Sequence, residues 1–144
     1  MEQPQYNLLD RKRFEVEYGP IFDKYSMGTT IWSPLASGAL TGKYLEGIPE
    51  GSRVSLEGYE WLKKHMLESE RGQERMKKVS TLLPIAQELG VSLSKLAIAW
   101  CLLNKNVSTV ILGASKIEQL EENLTAQEVL PLLTEQVQQK LSAI

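Results

Sequence analysis

The chain has 144 residues, a length that fits one ordinary domain, and its 42% hydrophobic content is enough to bury a core. Basic and acidic residues nearly balance, 16 against 18, which argues against nucleic acid or an acidic membrane surface as the main partner. The single cysteine, Cys101, excludes an intrachain disulfide framework, and no apolar run approaches the ~20 residues of a membrane span.

In chain order, Pro4 to Leu9 reads as a short strand closed by an Asp10-Arg11-Lys12 turn. Phe14, Val16, Ile21 and Phe22 punctuate a charged stretch, as in an amphipathic helix ending near Ser26, with Pro20 kinking it or marking its start. After Gly28, the β-branched and aromatic run Thr29 to Trp32 predicts a strand. A long connection broken by Gly47, Pro49, Gly51 and Gly58 leads to a helix around Tyr59 to Leu67, exposed along Lys63-Lys64-His65. Met76, Val79, Leu82, Leu83, Ala86 and Leu89 recur at helical spacing over Glu70 to Leu89, where Pro84 is placed to bend or divide the helix and Gly90 to stop it. Ser92 is a good N-cap for Leu93 to Leu103, apolar nearly all round and so expected to be buried. The continuous run Val107 to Leu112 predicts a strand covered on both faces. Helices near Lys116 to Leu124 and Glu135 to Ile144 complete the chain.

Strands alternating with helices predict an α/β fold with a parallel sheet and right-handed crossovers. Three parallel strands are few, and nothing protects the edge of Val107 to Leu112, so the pattern reads as part of something larger. The open edges also raise self-pairing into a homo-oligomer, though no residue specifies it. The N-terminal MEQPQYNLLDRK lacks the apolar core of a signal peptide, and with the lone cysteine it points to a cytoplasmic protein without membrane insertion.

Two segments carry the chemistry. TIWSPLASGALTGKY (Thr30 to Tyr44) runs from a strand into a turn of small residues with Gly38 and Gly42, and Lys43 beside them. Such loops let backbone N–H groups approach a phosphate. A second strand ends in Gly113-Ala114-Ser115. Beyond it Ser115, Gln119 and the Glu122/Asn123 pair fall on one face of a helix whose N-terminus attracts anions. Plainer readings stand beside these. Lys43 and Arg53 can be solvated loop charges, Trp32 a core residue, and the Glu118/Glu121/Glu122 cluster a solvated face. His65, the only histidine, reads as a surface residue, and Cys101 as a small core residue. Five tyrosines offer protons, but none has a lysine placed to lower its pKa. No Cys/His cluster supports a metal site.

With WSPLASGALTGKY, GIPEGSR (Gly47 to Arg53), SLEGYEWLK (Ser55 to Lys63), LAIAWCL (Leu96 to Leu102) and LGASKIEQLEEN (Leu112 to Asn123) in view, the chain resembles the C-terminal half of an aldo-keto reductase. It is most similar to the subgroup containing voltage-gated potassium channel β subunits. The resemblance covers residues 1–144 and implies the C-terminal part of a (β/α)8 TIM barrel, about three parallel strands with their helices. It implies NADP(H) as cofactor and a carbonyl substrate, an aldehyde or ketone. Gln3 would position the nicotinamide amide and Trp32 would stack near its ring. Ser33, Pro34, Leu35, Ala36 and Ser37 would line the pyrophosphate and ribose, with Lys43 and Arg53 neutralising phosphate. Gly113 and Ser115 would approach the 2′-phosphate, and Gln119, Glu122 and Asn123 would hold the adenosine end.

The departures bear on activity. The family's catalytic Tyr, Lys and Asp, and the residue that orients the carbonyl, belong to the barrel's other half and have no counterpart here, so no catalytic residue is assigned. Many relatives carry Arg where Gln119 stands, and some animal subunits carry Cys where Ser37 stands. Three readings follow: the cofactor-binding half of an NADP(H)-dependent oxidoreductase, a regulatory subunit docking on a potassium channel α subunit, or an inactive truncated fragment.

Overall fold

A computed structural model describes residues 1–144. Two parallel strands form its centre, β1 (Thr29–Ile31) and β2 (Val107–Val110), pairing Thr29 with Val107, Thr30 with Thr109 and Ile31 with Val110. The register skips Ser108, whose hydroxyl oxygen stands 2.8 Å from where a Cβ on Gly28 would lie. A side chain at position 28 would therefore have to displace Ser108 from the bulge. Thr29 ties the start of the pair together by donating its hydroxyl to the Asn106 carbonyl at 2.6 Å.

The N-terminal segment lies along the other edge of β1. Thr30 N–H donates to the Glu2 carbonyl at 3.0 Å, Trp32 N–H to Pro4 at 3.1 Å, and Tyr6 N–H to Trp32 at 3.3 Å. The strand expected over Pro4 to Leu9 is therefore realised as isolated parallel bridges at Glu2 and Gln5, with a turn bridging Asn7 to Asp10. The observed architecture is α/β, a small parallel sheet surrounded by helices.

The helices follow their caps. A π-helical turn, Arg13–Glu17, leads into α1 (Gly19–Tyr25), where Pro20 occupies the opening turn and Ser26 at φ 49° closes the end. The helix expected over Tyr59 to Leu67 is a short α2 (Glu60–Lys63) that widens into a π-turn, Lys64–Glu68. Ser69 then caps α3 (Glu70–Glu88) by accepting the Gly72 N–H at 3.0 Å. Pro84 does not divide α3. The carbonyl that its missing N–H would have bonded belongs to Ser80, an exposed residue where water can serve as donor. Gly90, at φ 69°, ends the helix: its N–H bonds the Gln87 carbonyl and Val91 N–H bonds Ala86, both at 3.0 Å.

As its composition implies, α4 (Leu93–Leu102) is buried on nearly every side, from Leu93 and Ser94 to Leu96 through Cys101. It packs beside an aromatic group in which Tyr6 stacks on Phe14 at 4.1 Å and meets Trp100 at 4.9 Å. The chain ends with α5 (Ile117–Leu124), a 3-10 stretch (Thr125–Leu132) and α6 (Glu135–Ser142). β2 is not covered on both faces, because Ser108, Thr109 and Ile111 are exposed. A β-branched run marks a strand, but burial depends on what the fold lays against it. No single helix is long and apolar enough to cross a membrane.

Cys101 is a core residue. Its Sγ–H points to the Tyr6 carbonyl at 3.7 Å, and burial pushes the thiol up to about 12 from its ordinary 9.0. The folded state favours the neutral thiol, so this contribution to stability is whole below pH 9.0 and is lost as pH rises toward about 12. Native protein should resist thiol alkylation at pH 8 and react at once in denaturant. Its denaturation midpoint should fall as pH rises from 9.0 toward about 12, and a Cys101→Ala variant should lack that part of the fall.

Candidate functional site at the strand ends

Ile111 N–H donates to the Ile31 carbonyl at 2.8 Å, so the two strands leave the sheet side by side. The loops that begin at Ser33 and Gly113 each start two residues beyond that bond, and neighbouring strands lie only ~4.8 Å apart. Both predicted cofactor loops thus emerge at one place.

The first loop is wound tightly. Ser33 (φ 58°), Ala36 (φ 49°) and Ser37 (φ 57°) are left-handed without being glycine, and Gly38 follows at φ 95°. Left-handed conformations cost about 1–2 kcal/mol per L-residue and collect at functional sites. Leu35, at φ −99° and ψ 10°, is followed by left-handed Ala36, a right-to-left alternation of backbone conformation. The Ala36 N–H bonds Ser33 at 3.0 Å and the Gly38 N–H bonds Leu35 at 2.9 Å. The Ser37 N–H makes none of the bonds that close this turn. Pro34 and Ala36 are buried, while Ser33, Leu35 and Ser37 are half-buried.

Lys43 folds back over this loop. A Cβ on Gly38 would lie 3.2 Å from Lys43 Cε and 3.3 Å from its Nζ, so the missing side chain is what admits the ammonium. The same ammonium sits 5.1 Å above the Tyr44 ring. Tyr44 is buried, and its hydroxyl has no hydrogen-bond partner, as do Thr30 Oγ1 on β1 and Ser52 Oγ in the connection. Native proteins leave few such groups.

Trp32 is not in the core: 44% of its surface is exposed, and it shares with Gln3 a cavity of about 780 Å³ that the loops of residues 33–38 and 113–115 do not line. Arg53 stands in its own turn, Arg53–Ser55, with the guanidinium 5.3 Å over the Tyr59 ring, engaged outside the strand-end loops. On the second loop Gly113 and Ser115 are exposed. Ser115 donates its N–H to Gln119 Oε1 at 2.9 Å and its hydroxyl to the same oxygen at 3.2 Å, so these two already hold each other. Glu122 is exposed and Asn123 is buried, so the predicted helix face divides between solvent and interior.

Two residues that matter to this geometry escaped sequence reasoning. Asn7, buried, hydrogen-bonds the Ser33 carbonyl, and Tyr44 floors the lysine. Asn at the end of a strand just before a turn was the signal available for the first. Tyr6, among the candidate proton donors, is buried. Its hydroxyl donates to Glu15 at 2.7 Å and accepts from Asn104 at 3.2 Å, and burial raises its pKa further, so it keeps its proton. His65 is exposed, as expected of a surface residue.

Parallel strands joined by helices and ending together in small-residue loops define an α/β protein of the kind that binds ligands at the carboxyl ends of its strands. The chain belongs to the aldo/keto reductase family, whose model matches residues 1–143. It is 51% identical to a protein of Oryza sativa subsp. japonica described as a probable voltage-gated potassium channel subunit beta, and 48% identical to one of Arabidopsis thaliana described in the same words. Each match covers all of this chain and 43% of the relative, so the chain spans less than half the length of these relatives.

Proposed function

We propose that this chain is the NADP(H)-gripping C-terminal part of a (β/α)8 aldo-keto reductase barrel that reduces aldehydes or ketones. The observation that carries the reading is the strained, glycine-bearing loop of residues 33–38 with the Lys43 ammonium folded over it. The Lys43 ammonium, held against a loop of small residues because Gly38 has no side chain, suits the charge of a pyrophosphate. NADP(H), when bound, supplies or accepts a hydride at its nicotinamide ring.

In this reading Gln3 and Trp32, which share one cavity, orient the nicotinamide end. Ser33, Pro34, Leu35, Ala36 and Ser37 hold the pyrophosphate and ribose, Lys43 offsets its charge, joined by Arg53 once its guanidinium leaves the Tyr59 ring, and Gly113, Ser115, Gln119 and Glu122 meet the adenosine side. Asn123, being buried, acts from behind by packing α5 in place. The proton for the nascent alkoxide comes from the part of such a barrel that lies outside these residues, so this chain carries no catalytic residue.

Titration with NADPH tests the reading: tryptophan emission should quench saturably, and Trp32→Phe should remove most of that quench. Absence of saturable quenching, with the fold intact by circular dichroism, would sink it. The two relatives' descriptions favour a second reading, a cytoplasmic regulatory subunit that docks on a potassium channel α subunit. Co-purification with a channel's cytoplasmic domain would support that reading, and failure to co-purify would count against it.

A further inference from the structure

We infer that Asn7 is a positioning residue for the cofactor loop, an inference that rests on the NADP(H) reading above. Its side chain is fully buried, so it touches no ligand, and it uses both ends of its amide. Oδ1 accepts the N–H groups of Leu9 and Asp10, each at 2.9 Å, and fixes the turn that ends the first parallel segment. Nδ2 crosses to the next loop and donates to the Ser33 carbonyl at 2.9 Å. That carbonyl also accepts the Ala36 N–H at 3.0 Å, so one oxygen joins the left-handed turn to its neighbour in the sheet.

The Asn7 turn is itself anchored. Asp10 is hydrogen-bonded by Gln5 Nε2 at 3.0 Å and held by Arg75, with Arg71 at 3.5 Å, and both arginines lie near the start of α3. The chain of support therefore runs from α3 through Asp10 and the turn to Asn7, and from Asn7 to Ser33. Ser33 and Ala36 are strained L-residues, and such conformations persist only where surrounding bonds hold them. Without the Asn7 donor the Ser33 peptide is free to leave its left-handed conformation, and the alternation at Leu35 and Ala36 goes with it. The adenosine side, built on β2 and α5, does not depend on this bond.

Asn7→Asp keeps the acceptor of the turn and replaces only the donor facing Ser33. Asn7→Ser keeps a neutral turn-former too short to reach Ser33, and serves if the buried charge prevents folding. Either variant should weaken NADPH binding by about tenfold, the worth of one buried hydrogen bond. Binding of 2′,5′-ADP, which lacks the nicotinamide side, should change less than about twofold. In the free protein, hydrogen exchange at the Ala36 and Gly38 amides, the two bonded in the turn, should accelerate while α4 keeps its protection. Equal loss for both ligands, unchanged NADPH affinity or unchanged exchange would overturn the inference. If the unmodified protein binds neither ligand, the cofactor reading has failed, and exchange at Ala36 and Gly38 alone decides the role of Asn7.

Discussion

Replacing Gly38 by valine should lower NADPH affinity by about tenfold to a hundredfold, the range expected for losing a charge-assisted contact. Two effects act together. At φ 95° a β-branched residue is strained, and its Cβ would stand 3.2 Å from Lys43 Cε and 3.4 Å from Tyr44 Cε2. The lysine is the flexible partner, so it moves, and the ammonium leaves the loop. Lys43→Ala should lose a similar amount, and the double variant little more than either alone, because both remove one interaction. Additive losses in calorimetric titrations would show that glycine and lysine act separately.

Gly72→Ala should destabilise the fold by about 3 kcal/mol, at the upper end of overpacking costs. Helix propensity alone predicts the reverse, since alanine exceeds glycine by about 1 kcal/mol in a helix interior. The clash decides the sign. A Cβ at 72 would lie 2.6 Å from the carbonyl carbon and oxygen of Met66 and 2.8 Å from the oxygen of His65. These are backbone atoms that no rotamer change can move. Ser69 draws the same two segments together, donating its hydroxyl to the His65 carbonyl at 2.8 Å while accepting the Gly72 N–H. A denaturation midpoint equal to or above that of the parent would refute this. Because α3 starts here and carries Arg71 and Arg75 to Asp10, the variant should also loosen the turn behind the cofactor loop.

The sequence was most legible where local chemistry decides structure. Ser92 and Gly90 fall at the helix ends they predicted, Pro20 opens α1, and the apolar roundness of α4 matches its burial. Legibility failed where tertiary context decides. Nothing in Ser33-Pro34-Leu35-Ala36-Ser37 announces three left-handed L-residues, since residue preference points elsewhere and only neighbouring bonds impose them. Val107 to Leu112 reads as a covered strand, yet Thr109 and Ile111 are exposed. Ser115 and Gln119 lie at the expected helical spacing, but spacing did not reveal that they bond each other. The family was legible from the two loops and the segments between them, and the match over residues 1–143 agrees.

In the proposed function the loops after β1 and β2 together hold NADP(H). The most direct measurement is a backbone-amide NMR titration of this chain with NADPH. Resonances of Ser33, residues 35–38, Lys43 and residues 113–119 should shift together and saturate at one dissociation constant, while those of α4 and α6 stay in place. Shifts confined to other surfaces, or none at saturating NADPH, would contradict the account.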